Sequence, residues 1–146
     1  MTDTRWATKE EKKTVKEFGG RPVSNSGAGW HSKGDGVIPG LWRQDVKSTK
    51  KDAYKVTGSV LNKLEKDANL HGCKPMLIVN FVKERMKVVL VPEYCLPEED
   101  FDFPDDKDNE VCPYSHGYKI MVRGNPVRYI VLTGEVAKTK LGLAPE

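Results

Sequence analysis

Residues 27–49 read GAGWHSKGDGVIPGLWRQDVKST, and the reading of this stretch decides the fold. A glycine-rich turn leads into Asp35. Ten residues on stands Asp45, followed at the next-but-one position by Lys47. Leu41, Trp42, Val46 and Thr49 are residue types that suit a strand. Side chains two apart in a strand point to the same face. A strand here therefore sets Asp45 beside Lys47 and turns Val46 towards a core. Gly36 to Pro39 and Leu41 to Thr49, with Pro39-Gly40 at the turn, make a hairpin that carries Asp35 back across from Asp45. Two carboxylates converging on one point are costly unless a cation lies between them, and hard divalent ions such as Mg²⁺ take oxygen ligands. A lysine beside such an ion polarises an attacking water and offsets charge on a phosphate. The combination suits metal-assisted phosphodiester hydrolysis.

Working outward, TKEEKKTVKEF (8–18) predicts a short helix that carries Glu10, Glu11 and Glu17 and stops at Gly19-Gly20. Residues 21–24 predict a short strand. The loop Ser26-Gly27-Ala28-Gly29 lets backbone N–H groups approach a phosphate closely, and Trp30, His31 and Lys33 add an aromatic and two potential cations beside it. Ser26, Lys33, Arg43, Ser48 and Thr49 are the candidate DNA contacts. DAYKVTGSVLNKLEKDANL (52–70) predicts a long helix with Asp52 as its N-cap and Val56, Val60, Leu61, Leu64 and Ala68 as one apolar stripe. Met76 to Val82 is an almost unbroken apolar run, typical of a buried central strand; Met86 to Val91 predicts its neighbour. A hairpin around Gly124-Asn125 (118–122 and 127–132) and a short helix over 134–141 close the chain.

Asp35 and Asp45-Val46-Lys47 resemble the motif of the PD-(D/E)XK nuclease superfamily: an Asp, a variable gap, then Asp or Glu, any residue, Lys. Gly34 stands where the motif's name has Pro. The predicted order of helix, three short strands, helix and two strands, over about residues 8–91, is similar to the core of that superfamily. It is most similar to the Holliday-junction resolvase branch known from archaea and phages. There too a Ser-Gly-rich loop precedes the first Asp and a long helix follows the Lys. In that branch a glutamate on the first helix helps hold the metal. Glu11 lies 24 residues before Asp35 and Glu10 lies 25 before. Asp45 stands where the branch prefers Glu.

The resemblance implies an α/β, restriction-endonuclease-like core, with a mixed central sheet flanked by helices and a C-terminal hairpin extension, all in one domain. It implies a metal-dependent endodeoxyribonuclease for branched DNA, with Asp35, Asp45, Lys47 and Glu11 catalytic. Asp35, Asp45 and Glu11 would hold Mg²⁺, for which Mn²⁺ substitutes, and the enzyme would be a homodimer making paired cuts, with no organic cofactor. Two alternatives stay open: a nuclease of the same superfamily acting on ends, flaps or duplex, and a DNA-binding scaffold that kept the fold without the catalysis.

Charge and cysteine usage bound the partner and the compartment. The net charge of +3 over 146 residues hides an asymmetry. Residues 93–110 hold nine acids against one base, a net −8, so the remainder carries +11. A body that basic suits a polyanion. Pro-broken and acidic, 93–110 reads as a long loop, either solvated or a gate over the basic face. Cys73, Cys95 and Cys112 are odd in number with no C-x-x-C pair, which fits a reducing compartment. The wide Cys95–Cys112 gap argues against structural zinc, although the Cys112–His116 spacing is suggestive. With no membrane-length apolar run and no signal-peptide pattern, the expectation is a soluble cytoplasmic protein.

Overall fold

The computed structural model describes residues 5–23, 35–97, 104–106 and 108–145. Helix α1 (Arg5–Glu17) leads to β1 (Arg21–Pro22), β2 (Asp35–Ile38) and β3 (Trp42–Thr49). A two-residue strand β4 (Tyr54–Lys55) precedes α2 (Gly58–Leu70), which is followed by β5 (Lys74–Phe81) and β6 (Met86–Pro92). A 3-10 turn (Glu93–Cys95), β7 (Asp105–Asp106), β8 (Glu110–Val111), β9 (Tyr118–Met121), β10 (Arg128–Thr133) and α3 (Gly134–Lys140) complete the chain. Eight strands form one mixed sheet in the order β1-β2-β3-β5-β6-β10-β9-β7, and β4 pairs with β8 in a separate ribbon. The class is mixed α/β, with a central sheet flanked by three helices. No described helix is long and apolar enough to cross a membrane.

Alternation along the buried strands assigns the two faces. Leu77, Val79 and Phe81 of β5 pack with Leu61 and Leu64 of α2, whereas Met76 and Ile78 pack on the other side with Val15, Phe18 and Ala137. Both faces being covered explains the nearly continuous apolar run of β5. β3 and β5 are parallel, as a connection through α2 requires, and the β2–β3 pair is antiparallel. Gly40 takes φ +73° at the turn of that hairpin, where Leu41 N–H donates to Ile38 O (3.0 Å). A Cβ at Gly36 would lie 2.3 Å from Val15 Cγ1, so helix α1 rests directly on β2.

Two expectations are corrected. The second helix begins at Gly58, and Thr57, not Asp52, caps it by accepting from Val60 N–H. Residues 54–55 are extended because β8 pairs with them: Tyr54 is opposite Val111 and Lys55 opposite Glu110. Val56 continues the helical spacing of the stripe yet sits in the core from an extended segment, bonded to Asn109 through Val56 N–H to Asn109 O (2.9 Å). The segment 93–110 is likewise not one loop, since it supplies the 3-10 turn, the edge strand β7 and part of β8. Its Glu93 and Asp105 pair with Lys119 and Arg128 (3.2–3.5 Å). The expected C-terminal hairpin forms as β9 and β10 and extends the sheet, β10 pairing with β6 over five residues.

Gly58 tests the corrected helix start. In a helix interior, alanine would be favoured over glycine by about 1 kcal/mol. At the observed position a Cβ would lie 2.4 Å from the Arg123 carbonyl oxygen. Gly58→Ala should therefore destabilise the fold by about 1–2 kcal/mol, read as a lower urea midpoint. A gain in stability would place Gly58 inside a helix free of that contact.

Glu17 joins three elements. It accepts from Lys87 Nζ (2.8 Å) on β6 and Lys138 Nζ (2.7 Å) on α3. Burial works against its ionisation, but the two lysines outweigh burial and hold its pKa below the ordinary value. A carboxylate so lowered contributes stability above its unfolded pKa, and this is lost as pH falls through the folded value. Glu17→Gln should lower stability at pH 7 by about 2 kcal/mol, with the gap to wild type closing on acidification. A gap that stays constant down to acid pH contradicts this role.

Candidate active site

The β2–β3 register builds the site. Asp35 is the direct partner of Asp45, and Gly36 of Gln44. Positions directly opposite in an antiparallel pair share a face of the sheet and lie about 5 Å apart at Cβ. On β3, Lys47 Nζ approaches Asp45 Oδ2 to 3.4 Å. Val46 between them is buried on the opposite face with Val15 and Phe18. The alternation expected from the sequence is therefore present: Asp45 and Lys47 on the side of α2, Val46 on the side of α1. The Asp45 side chain is 14 % exposed and that of Lys47 39 %.

Burial pushes the Asp45 carboxyl up from its ordinary pKa, and the nearby Asp67 carboxylate adds to this. The opposing fields of Lys47 and Lys63 do not make up the difference. For Lys47, burial acts to lower the pKa, yet Asp45, Tyr54 and Glu11 together hold it above the ordinary value. The two shifts describe one situation. The lysine stays charged, while the carboxylate beside it lacks enough positive charge to be comfortable ionised. Oxygen ligands on adjacent strands with a deficit of positive charge fit a hard divalent cation. Among the described residues no group of three His, Cys, Asp or Glu side chains converges as a metal cage. The Asp35 side chain is outside that set.

The first helix carries both candidate glutamates. Glu10 pairs with Lys13 one turn along (3.9 Å). Glu11 is half-buried, and its charge contributes, after those of Asp45 and Tyr54, to raising the Lys47 pKa.

Of the candidate DNA contacts, Arg43, Ser48 and Thr49 lie among the described residues. Ser26 and Lys33, with Trp30 and His31, lie outside the described residues. Ser48 accepts from Asn80 Nδ2 (3.3 Å) and, one residue on from Lys47, sits on the opposite face from the Asp45–Lys47 pair. Thr49 shares their face, but its Oγ1 accepts from Lys51 N–H (3.0 Å) and so shapes the turn that follows. Arg43 is only 8 % exposed, two residues before Asp45 on the same strand. Arg43 is thus buried, whereas Ser48 is half-buried. His116 Nδ1 accepts from Thr133 N–H (3.1 Å) at the start of α3.

Tyr54 is the residue the sequence did not single out. It sits on β4, packs against the α2-side core and interacts with both Lys47 and Asp45; burial and the Asp45 charge raise its pKa, against the effect of Lys47. Its place depends on β8, over fifty residues downstream, for which local sequence carries no signal. No protein-family model, curated protein or solved structure matches the chain.

Proposed function

We propose that the protein is a metal-dependent DNA endonuclease of the PD-(D/E)XK kind, built like a Holliday-junction resolvase. The observation that carries this reading is the register of Asp35 against Asp45, with the Lys47 ammonium 3.4 Å from the Asp45 carboxylate. With the two-residue ribbon strand β4 set aside, the main-sheet order α-β-β-β-α-β-β, with β3 and β5 parallel across α2, supports a restriction-endonuclease-like core. Asp35 and Asp45, assisted by Glu11, would hold Mg²⁺ or Mn²⁺. Such an ion, when bound, supplies Lewis-acid polarisation of a phosphoryl oxygen and lowers the pKa of a bound water. Lys47 stays protonated, orients the attacking oxygen by donating to it, and offsets charge developing on the phosphate. A cation also relieves the uncompensated Asp45 carboxylate. Paired cuts across a four-way junction require two such sites, hence a homodimer of this chain.

The test is to incubate the protein with labelled four-way junction, flap, duplex and single-stranded DNA, with and without Mg²⁺. Mg²⁺-dependent nicking, fastest on the junction, is expected. Nicking confined to flaps, ends or duplex moves the substrate while keeping the chemistry. DNA binding with no cleavage of any form overturns the enzyme reading in favour of a scaffold.

A further inference from the structure

β3 and β5 are parallel and end together, Thr49 opposite Phe81, with Val82 N–H donating to Thr49 O (3.0 Å). The residues just past both ends are thereby brought side by side. Lys50 and Lys51 follow β3, Lys83 follows β5, and Lys55 comes in on β4. Together they line an open cleft of about 730 Å³, which Asp52, Glu84 and Glu110 also border. All four lysines are exposed, and Lys51, Lys55 and Lys83 form no ion pair with any described residue, although three carboxylates border the same cleft. In open sheets with parallel strands, ligands settle outside the carboxyl ends of those strands. Here that position lies three residues along β3 from Lys47, about 10 Å at strand rise. A separation on that scale lets neighbouring phosphates of one DNA strand occupy both places. Tyr54 and Lys55 link the two places, since Tyr54 interacts with Lys47 while its neighbour Lys55 lines the cleft.

We propose that this lysine cleft holds the phosphodiester backbone of the DNA strand as it leaves the Asp45–Lys47 site. The inference rests on the nuclease reading of that site and adds to it the path of the substrate. Glu110 gives the cleft a second property. It is the end of the acidic segment, set opposite Lys55 by the β4–β8 pairing, and a phosphate entering the cleft meets its charge. Glu110 therefore weakens backbone binding and favours DNA that makes further contacts elsewhere on the protein. Asp105, further back in that segment, lies on β7 at the far edge of the sheet. Five strand spacings separate it from β3, about 24 Å. Of the segment's described carboxylates, only Glu110 lines the cleft.

The experiment is fluorescence anisotropy of a labelled short duplex in EDTA, over a salt series, so that binding is read without cleavage. Lys51→Ala/Lys55→Ala is compared with wild type, with Lys51→Arg/Lys55→Arg, and with Lys66→Ala/Lys74→Ala. The last pair removes equal charge from α2 and from the opposite end of β5. The cleft pair should weaken binding by about tenfold or more and reduce the log–log salt slope by about 2. The arginine pair should bind like wild type, and Glu110→Gln should bind several-fold more tightly. Matching melting temperatures establish that the variants are folded. Binding by the cleft pair that is no weaker than by the Lys66/Lys74 pair overturns the proposal, as does failure of the wild type to bind DNA. Cleavage assays on the same proteins separate the two readings. A wild type that cleaves DNA while the cleft pair binds normally overturns the cleft alone. Loss of binding in the cleft pair of a protein that never cleaves overturns the nuclease reading and leaves the cleft standing.

Discussion

Replacing Asp45 by Asn should abolish Mg²⁺-dependent cleavage while making the folded protein more stable at neutral pH. The first effect follows from the loss of a charged oxygen ligand. If the ion supplies several kcal/mol of charge stabilisation, the rate falls by at least about a thousandfold. DNA binding should be retained or tightened, since a negative charge has left the site. Asp35→Asn should behave in the same way in the cleavage assay. The stability effect has the opposite sign because the Asp45 pKa is raised by burial. A carboxyl whose folded pKa exceeds its unfolded value contributes stability only below the unfolded value, and that contribution is lost as pH rises through the folded one. Asn cannot ionise, so the variant escapes the loss. Its melting temperature should match or trail wild type in acid and exceed it above the Asp45 pKa. Wild-type cleavage by either variant removes these residues from the site. A D45N protein less stable than wild type at pH 7 would mean that Lys47 fully compensates the buried charge.

Lys47→Ala separates catalysis from metal binding. Mg²⁺ affinity should be kept or improved, because Lys47 competes with a cation for Asp45 at 3.4 Å. Cleavage should fall by at least about a hundredfold through lost electrostatic support of the transition state. Lys47→Arg should recover part of the charge but not the donor geometry, since a planar fork is a poor replacement for a compact ammonium. Equal losses in metal affinity and cleavage would assign Lys47 to positioning Asp45. An undiminished rate would leave it as an ion-pair partner only.

Much of this arrangement could be read along the chain wherever local pattern and tertiary partner agreed. The hairpin from Asp35 to Thr49 announced itself through Pro39-Gly40 and the alternation around Val46, and its register then followed. β5, β6, the pair around Gly124-Asn125 and the last helix carried equally plain periodicity and turn residues. What escaped was made by distant pairing. Tyr54-Lys55 has no strand signature of its own and is extended because Glu110-Val111 lies beside it. The apparent helix from Asp52 was persuasive because Val56 fits the helical spacing of Val60 and Leu64. Val56 reaches the same core from an extended backbone, and Thr57 starts the helix instead. Asp105-Asp106, too polar to suggest a strand, forms the sheet edge by pairing with Lys119 and Ile120. The Asp45–Lys47 pairing was legible because it needs only period two. The involvement of Tyr54 was not, because it needs the whole fold.

In the proposed function, Asp35 and Asp45 would together hold a divalent cation with Lys47 beside it. Anomalous scattering from crystals of the protein soaked in Mn²⁺ tests it most directly. A manganese peak at the Asp35–Asp45 pair is expected, with the Lys47 ammonium moved off Asp45. A map with no peak there, and Lys47 still paired with Asp45 at saturating Mn²⁺, would contradict it.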